Sequence, residues 1–203
     1  MTKSLMSRTL SRLRLPLTGS RTWSRNEDGA AAIEFAMVAI PFLMMLVGIM
    51  GSGLQFFSQN ALENGVEAAS RQVMTGQAHM GNPTASPPVP PMTLDQFRNK
   101  ICSTAGSFIK CDSAHLSLIV NSYADWASVQ QQTCKAGSGL AASTGTGTQL
   151  VSQYSGAPGD IVLITICYKW DLAKGVLIYA PDKLGDGSAL MQAAVAFRTE
   201  PYM

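Results

Sequence analysis

The sequence is poor in charge: Asp, Glu, Lys and Arg make up 14% of its 203 residues, well below the quarter usual in soluble globular domains. Its two histidines, His79 and His115, have no partner at metal-ligand spacing and read as solvated or packed side chains. Asp182 and Asp186 bracket Leu184-Gly185, but their spacing fails the EF-hand loop, so a turn is expected there rather than a calcium site. The chain has no Gly-x-Ser-x-Gly and no phosphate loop, and its four cysteines include no Cys-x-x-Cys. Aromatic residues are not interleaved with a basic patch outside the first residues, which removes the support for nucleic-acid binding. No cofactor, no metal and no enzymatic activity are expected.

What charge there is has an uneven distribution. Residues 1–28 hold six basic side chains (Lys3, Arg8, Arg12, Arg14, Arg21, Arg25) against two acidic ones, a net of +4 in a chain whose total is +2. Directly after this head, Phe35 to Leu54 form 20 residues without a charge. At ~1.5 Å of rise per residue such a helix spans about 30 Å, the thickness of a bilayer's hydrocarbon core. A lone span must be helical, because lipid offers its backbone no hydrogen-bond partner. Basic flanks stay on the cytoplasmic side, so the amino terminus is expected inside and the bulk of the chain outside. All four cysteines (Cys102, Cys111, Cys134, Cys167) fall in that outer part, where an oxidising compartment lets them pair. Pro41 cannot donate to the carbonyl of Met37, so a kink or loosened turn is expected within the span. Gly48, Gly51 and Gly53 do not form a GxxxG pattern and receive no role.

Glu34 stands at the mouth of the apolar run, where an ionised carboxylate is costly and usually functional. The string Asp28-Gly29-Ala30-Ala31-Ala32-Ile33-Glu34-Phe35 resembles the processing site of type IV prepilins, and in particular of the TadE-like proteins of tight-adherence (Flp) pili. The resemblance extends through Pro41, Asn60-Ala61 and Glu67-Ala68-Ala69-Ser70-Arg71, and resumes at Phe197-Arg198-Thr199-Glu200-Pro201-Tyr202, which is similar to the family's closing motif; residues 76–190 carry no matching motif. It implies a prepilin peptidase that cuts after Gly29, leaving Ala30 as the first residue and Glu34 as the fifth. It further implies Flp pilin, other minor pseudopilins and the inner-membrane assembly platform as partners, beside the membrane lipid itself. The chemistry is coherent on its own terms. The new amine of Ala30 and the Glu34 carboxylate lie one helical turn apart on one face. An amine and a carboxylate in low dielectric offset each other's desolvation, within one chain or between neighbours. An ordinary secretory signal would need a shorter apolar core followed, not preceded, by its small residues.

Beyond the membrane the helix is expected to continue, with Leu62, Val66, Ala69 and Val73 at helical spacing and Glu67 and Arg71 forming an i,i+4 pair. The reading divides the chain into a leader (1–29), a membrane helix with its extension (30–75), a stiff polyproline-type linker (76–92) and an α+β domain (93–203) with an antiparallel sheet. Within the last, Thr93-x-x-Gln96 reads as a capping box opening a helix with Leu94, Phe97 and Ile101 on one face. Leu116, Leu118 and Val120 alternate as in a strand; Ile161 to Trp170 is apolar on both faces, as expected of a central strand; and 189–198 leans to a final strand. Residues 136–148, rich in Gly, Ser and Thr, are expected to form a mobile loop. Of the three ways to pair four cysteines, Cys102–Cys111 and Cys134–Cys167 are favoured: the first joins a helix end to a strand start, the second ties a loop to the central strand.

The expected function is that of a minor pseudopilin in pilus assembly. The rival is a membrane-anchored periplasmic binding or scaffold protein that is never processed.

Overall fold

A computed structural model describes residues 27–174 and 182–201. Most of the basic leader, and Tyr202 of the closing motif, lie outside the described residues. The chain divides into two compact units, residues 1–45 and 46–203.

The first unit contributes the start of helix α1 (Glu27–Met74). Its apolar side chains find no cover: Ile33, Phe35, Met37, Val38, Phe42 and Met45 are all exposed. The helix assignment runs unbroken through Pro41.

The second unit is an α+β domain built on the remainder of α1. The elements that follow are α2 (Gln77–Met80), α3 (Leu94–Ala105), β1 (Leu116–Tyr123), β2 (Lys135–Ala136), β3 (Gly139–Leu140), β4 (Ile161–Trp170) and β5 (Ala189–Arg198). The main sheet is antiparallel in the order β1-β4-β5. β4 is buried along almost its whole length, as a central strand covered on both faces must be.

Register separates the two faces. Leu116, Leu118 and Val120 of β1, Val162, Ile164 and Ile166 of β4, and Ala189, Met191 and Ala193 of β5 join one core with Leu62, Val66, Ala69 and Val73 of α1 and Phe97 and Ile101 of α3. The opposite face carries a smaller cluster of Ile119, Cys134 and Cys167, against which Leu140 and Ala141 pack. The expected capping box is formed at α3: Gln96 N–H donates to Thr93 Oγ1 at 3.3 Å, and Thr93 N–H to Gln96 Oε1 at 2.9 Å. Gly65, read from sequence only as a weak point in the helix, is where α3 crosses α1. A Cβ there would lie 2.7 Å from the Ile101 carbonyl oxygen and 3.3 Å from the Ala105 methyl.

Two sequence expectations are corrected. Residues 76–92 are not an extended linker but part of the domain. Ala78 is fully buried, and Met92 N–H donates to the Ala78 carbonyl at 2.9 Å. Asn82 and Val89 exchange backbone hydrogen bonds of 2.8 and 2.9 Å, so the chain doubles back on itself. Prolines bias a chain toward extended structure, but Val89 is the one residue of Pro87–Pro91 with an N–H, and that donor closes the loop. Gly81 permits the close approach, because a Cβ there would collide with the Val89 carbonyl.

The second correction concerns 136–148, which is pinned rather than loose. It contains the β2–β3 hairpin and then runs along the outer edge of β1. Leu118 N–H donates to Ser143 Oγ, and Val120 N–H to Thr144 Oγ1, each at 3.1 Å, while Thr144 N–H donates to the Leu118 carbonyl at 2.8 Å. A composition of short hydroxyl side chains reads as loop, yet the same hydroxyls satisfy an edge strand's backbone and close it to other chains.

Candidate functional site

Between Asp28 and Glu63 the sequence has a single ionisable side chain, Glu34. It stands in α1, exposed, among exposed apolar neighbours. Gly29 and Ala30 are in the first turns of the same helix, both exposed, and a Cβ built on Gly29 meets nothing within 4 Å. Among the described residues nothing packs against the expected scissile bond. Helix α1 is the one helix among the described residues long and apolar enough to cross a membrane. A helix that is apolar all round must be buried in protein or in lipid, and this one has no protein cover over its apolar run. Its length, composition and lack of protein cover point to a single-pass membrane anchor.

The cysteines meet as two disulfides, Cys102–Cys111 and Cys134–Cys167, with Cα–Cα distances of 6.0 and 5.3 Å. The first closes a loop between α3 and β1; the second staples the segment before β2 to the centre of β4.

The closing motif has a mechanical explanation. Arg198 Nε donates to the Gly159 carbonyl at 2.8 Å, and Gly159 N–H donates to the buried Thr199 hydroxyl at 2.8 Å. Glu200 N–H donates to the Met74 carbonyl at 2.9 Å. Met74 is the last residue of α1, so the end of the chain satisfies one of the carbonyls that a helix leaves without an internal partner. Arg198 thus ties the last strand to the turn before β4, and Glu200 ties the chain that follows to the end of the long helix, with Pro201 exposed just beyond. The side chain of Arg198 and the backbone of Glu200 make these contacts.

One cluster escaped the sequence reading. His115, at the start of β1, lies between two carboxylates: its Nδ1 is 2.6 Å from Asp112 Oδ1 and its Nε2 is 2.7 Å from Asp171 Oδ2. Asp171 also meets Lys174 at 3.2 Å, and Lys174 in turn meets Asp186 at 3.0 Å, which Lys169 approaches to 2.6 Å. The His115 pKa is raised, chiefly by its hydrogen bond to Asp112 and then by that to Asp171. The Asp171 carboxyl is held down at about 2, first by the hydrogen bond from His115. Asp186 is held well below the usual carboxylate range, first by Lys169. The Asp112-x-x-His115 spacing was visible in the sequence, but Asp171 comes from 56 residues away. His79, by contrast, accepts or donates at Ser155 Oγ over 2.9 Å, and burial pushes its pKa down. Among the described residues no group of three or more His, Cys, Asp or Glu side chains is arranged to hold a metal ion. A concavity beside the 76–92 segment is lined by Gln72, Asn82, Val89, Met92 and Gln96, none of which ionises.

The chain finds no match among curated proteins and none among solved structures. Residues 29–71 match the family model described as TadE-like protein, a match that begins at the glycine before Ala30 and runs through Glu34 to Arg71. Over that segment, about a fifth of its length, the chain is similar to the TadE-like family, and the likeness supports a part in Tad pilus assembly.

Proposed function

We propose that this protein is a minor pseudopilin of Flp-type, tight-adherence pilus assembly, with a structural and not an enzymatic role. The observation that carries the reading is the coincidence of three features in one segment. The family match starts at Gly29, the run from Phe35 to Leu54 that follows is apolar and uncovered, and Glu34 is the only ionisable side chain between Asp28 and Glu63. In this reading a prepilin peptidase of the inner membrane removes the cytoplasmic leader after Gly29. The amino group freed on Ala30 then pairs with a Glu34 carboxylate, of its own chain or of a neighbouring subunit. Between subunits, one charge pair in a low-dielectric setting fixes the axial register of otherwise featureless apolar helices, because any slip leaves both charges desolvated and unpaired. The carboxy-terminal domain, outside the cytoplasm, would cap, prime or regulate the fibre formed with Flp pilin, other pseudopilins and the assembly platform.

Cleavage requires the first turn of α1 to open, since peptidases act on extended backbone. Gly29, the weakest helix former available short of proline, lowers the cost of doing so. The deciding experiment is sequencing of the mature amino terminus from the native membrane. The expected result is Ala30, with Gly29→Leu blocking the cut. A mature protein beginning at Met1 or Thr2 in cells that still make pili would overturn the pseudopilin reading and favour an unprocessed anchor. Glu34→Ala should leave cleavage intact and abolish piliation; normal pili in that variant would remove the charge-pairing step.

A further inference from the structure

We propose that the disulfide-closed loop Cys102–Cys111 is a second membrane contact, with Phe108 seated in the lipid headgroup region beside the anchor helix. The proposal rests on the membrane-anchor reading of α1 and adds to it a docking surface on the domain.

The geometry lies within the second unit. Helix α3 descends along α1 toward the apolar run: Gly65 of α1 faces Ile101 and Ala105, and eight residues nearer the amino terminus Phe57 faces Phe108. The Phe57 and Phe108 rings meet edge to face with centroids 5.3 Å apart. Both rings are nevertheless open, Phe57 at 53% and Phe108 at 65% exposure, and Phe56 beside them is at 73%. Phe108 is held outward from both directions. Its neighbour Ile109 is buried in the core, Lys110 N–H donates to the Tyr168 hydroxyl at 3.1 Å, and the Cys102–Cys111 bond fixes the base of the loop. The ring therefore stays at the surface while the rest of its loop is tied down.

The occupant follows from continuity with the lipid-facing helix. Phe57 is three residues past Leu54, after which the polar Gln55 ends the apolar run. That is ~4.5 Å along the helix axis, within the interfacial layer, on the order of 5–8 Å deep, that flanks the hydrocarbon core. Aromatic rings are favoured in that layer. A ring set edge to face against Phe57 extends the lipid-facing surface from the helix onto the domain, and two contacts separated in sequence restrain a body that one helix alone would leave free to swivel. The local charge does not call for a particular headgroup, because Lys110 is matched by Asp171 at 3.5 Å.

The test uses the full chain in nanodiscs of phosphatidylethanolamine and phosphatidylglycerol, with the photoreactive substitution Phe108→p-benzoylphenylalanine and intact-mass detection. Ile49, within the apolar run, takes the same probe as a positive control. Trp126 serves as the negative control. It follows β1, whose last residue Tyr123 pairs with Ile161; Ile161 in turn pairs with Arg198, near the chain end that bonds to Met74. Phospholipid adducts are expected at positions 108 and 49, and not at 126. Adducts at 49 with none at 108, or a 108 adduct with the mass of a second copy of the chain, would overturn the proposal while leaving the anchor in place. Loss of the adduct at 49 as well would overturn the anchor reading and the proposal together.

Discussion

From Val47 to Phe56 the helix leaves Val47, Ile49, Met50 and Phe56 between 50 and 73% exposed, whereas Leu62, Val66, Ala69 and Val73 of the same helix are at 1% or less. Both stretches are apolar. The first ends the Phe35 to Leu54 run, in which apolar side chains occupy every face, and that suits a surrounding solvent that is itself apolar. In the second, they recur every three or four residues, and Glu63, Glu67 and Arg71 occupy the remaining faces, with Arg71 and Glu67 paired at 3.1 Å. What separates an anchor from a core helix is therefore not the amount of hydrophobicity but its angular distribution.

The largest test of that contrast is to truncate one side chain in each stretch. Leu62→Ala should destabilise the domain by about 2–5 kcal/mol, the range for a fully buried leucine. Met50→Ala, at a side chain 66% exposed, should leave its unfolding nearly unchanged. Denaturation of the full chain in a fixed detergent reports both, and equal losses would erase the distinction between the two stretches.

A smaller effect is expected from glycine replacement. Gly65→Ala should cost roughly 1–3 kcal/mol, because its methyl must displace the Ile101 carbonyl at 2.7 Å and overpacking carries that order of penalty. Gly53→Ala meets nothing within 4 Å and should be neutral or slightly stabilising through helix propensity. The same unfolding measurement checks both, and a neutral Gly65→Ala would show that α3 can slide on α1.

The smallest effect is one of pH, and it is confined to the domain. His115 has a raised pKa in the folded chain. The stabilisation from its carboxylate partners is fully present below the ordinary histidine value near 6.5 and fades as pH rises through the raised value. The melting temperature should therefore fall modestly as pH rises above about 6.5, and His115→Gln should flatten that slope. Asp171, held at about 2, contributes in the opposite sense, with stability present above its ordinary value and lost as pH falls toward 2. An unchanged slope in His115→Gln would assign the pH dependence elsewhere.

Much of the fold was legible because its signals are local. The Thr93–Gln96 box depends on four adjacent residues, the central position of β4 on its unbroken apolar run, and the favoured cysteine pairs on the elements they end or begin. The errors also have a local origin. The prolines of 87–91 and the hydroxyl-rich 136–148 were read by composition, and composition does not report that Val89 faces Asn82 or that Ser143 and Thr144 face β1. The His115 cluster was half visible for the same reason: Asp112 is three residues away, and Asp171 becomes a neighbour only when β1 pairs with β4.

By itself the sequence determined the anchor, the stripe that continues it, and the isolated position of Glu34, since each depends on the periodicity of a single helix. Only the tertiary structure decided why Gly65 is a glycine, what the carboxy-terminal Arg198 and Glu200 hold, and that Phe108 stands against Phe57. Those contacts join residues from 36 to 126 positions apart. Helical and strand periodicity constrain the neighbours of a residue along the chain; which distant surface it meets is settled by the packing of the whole core.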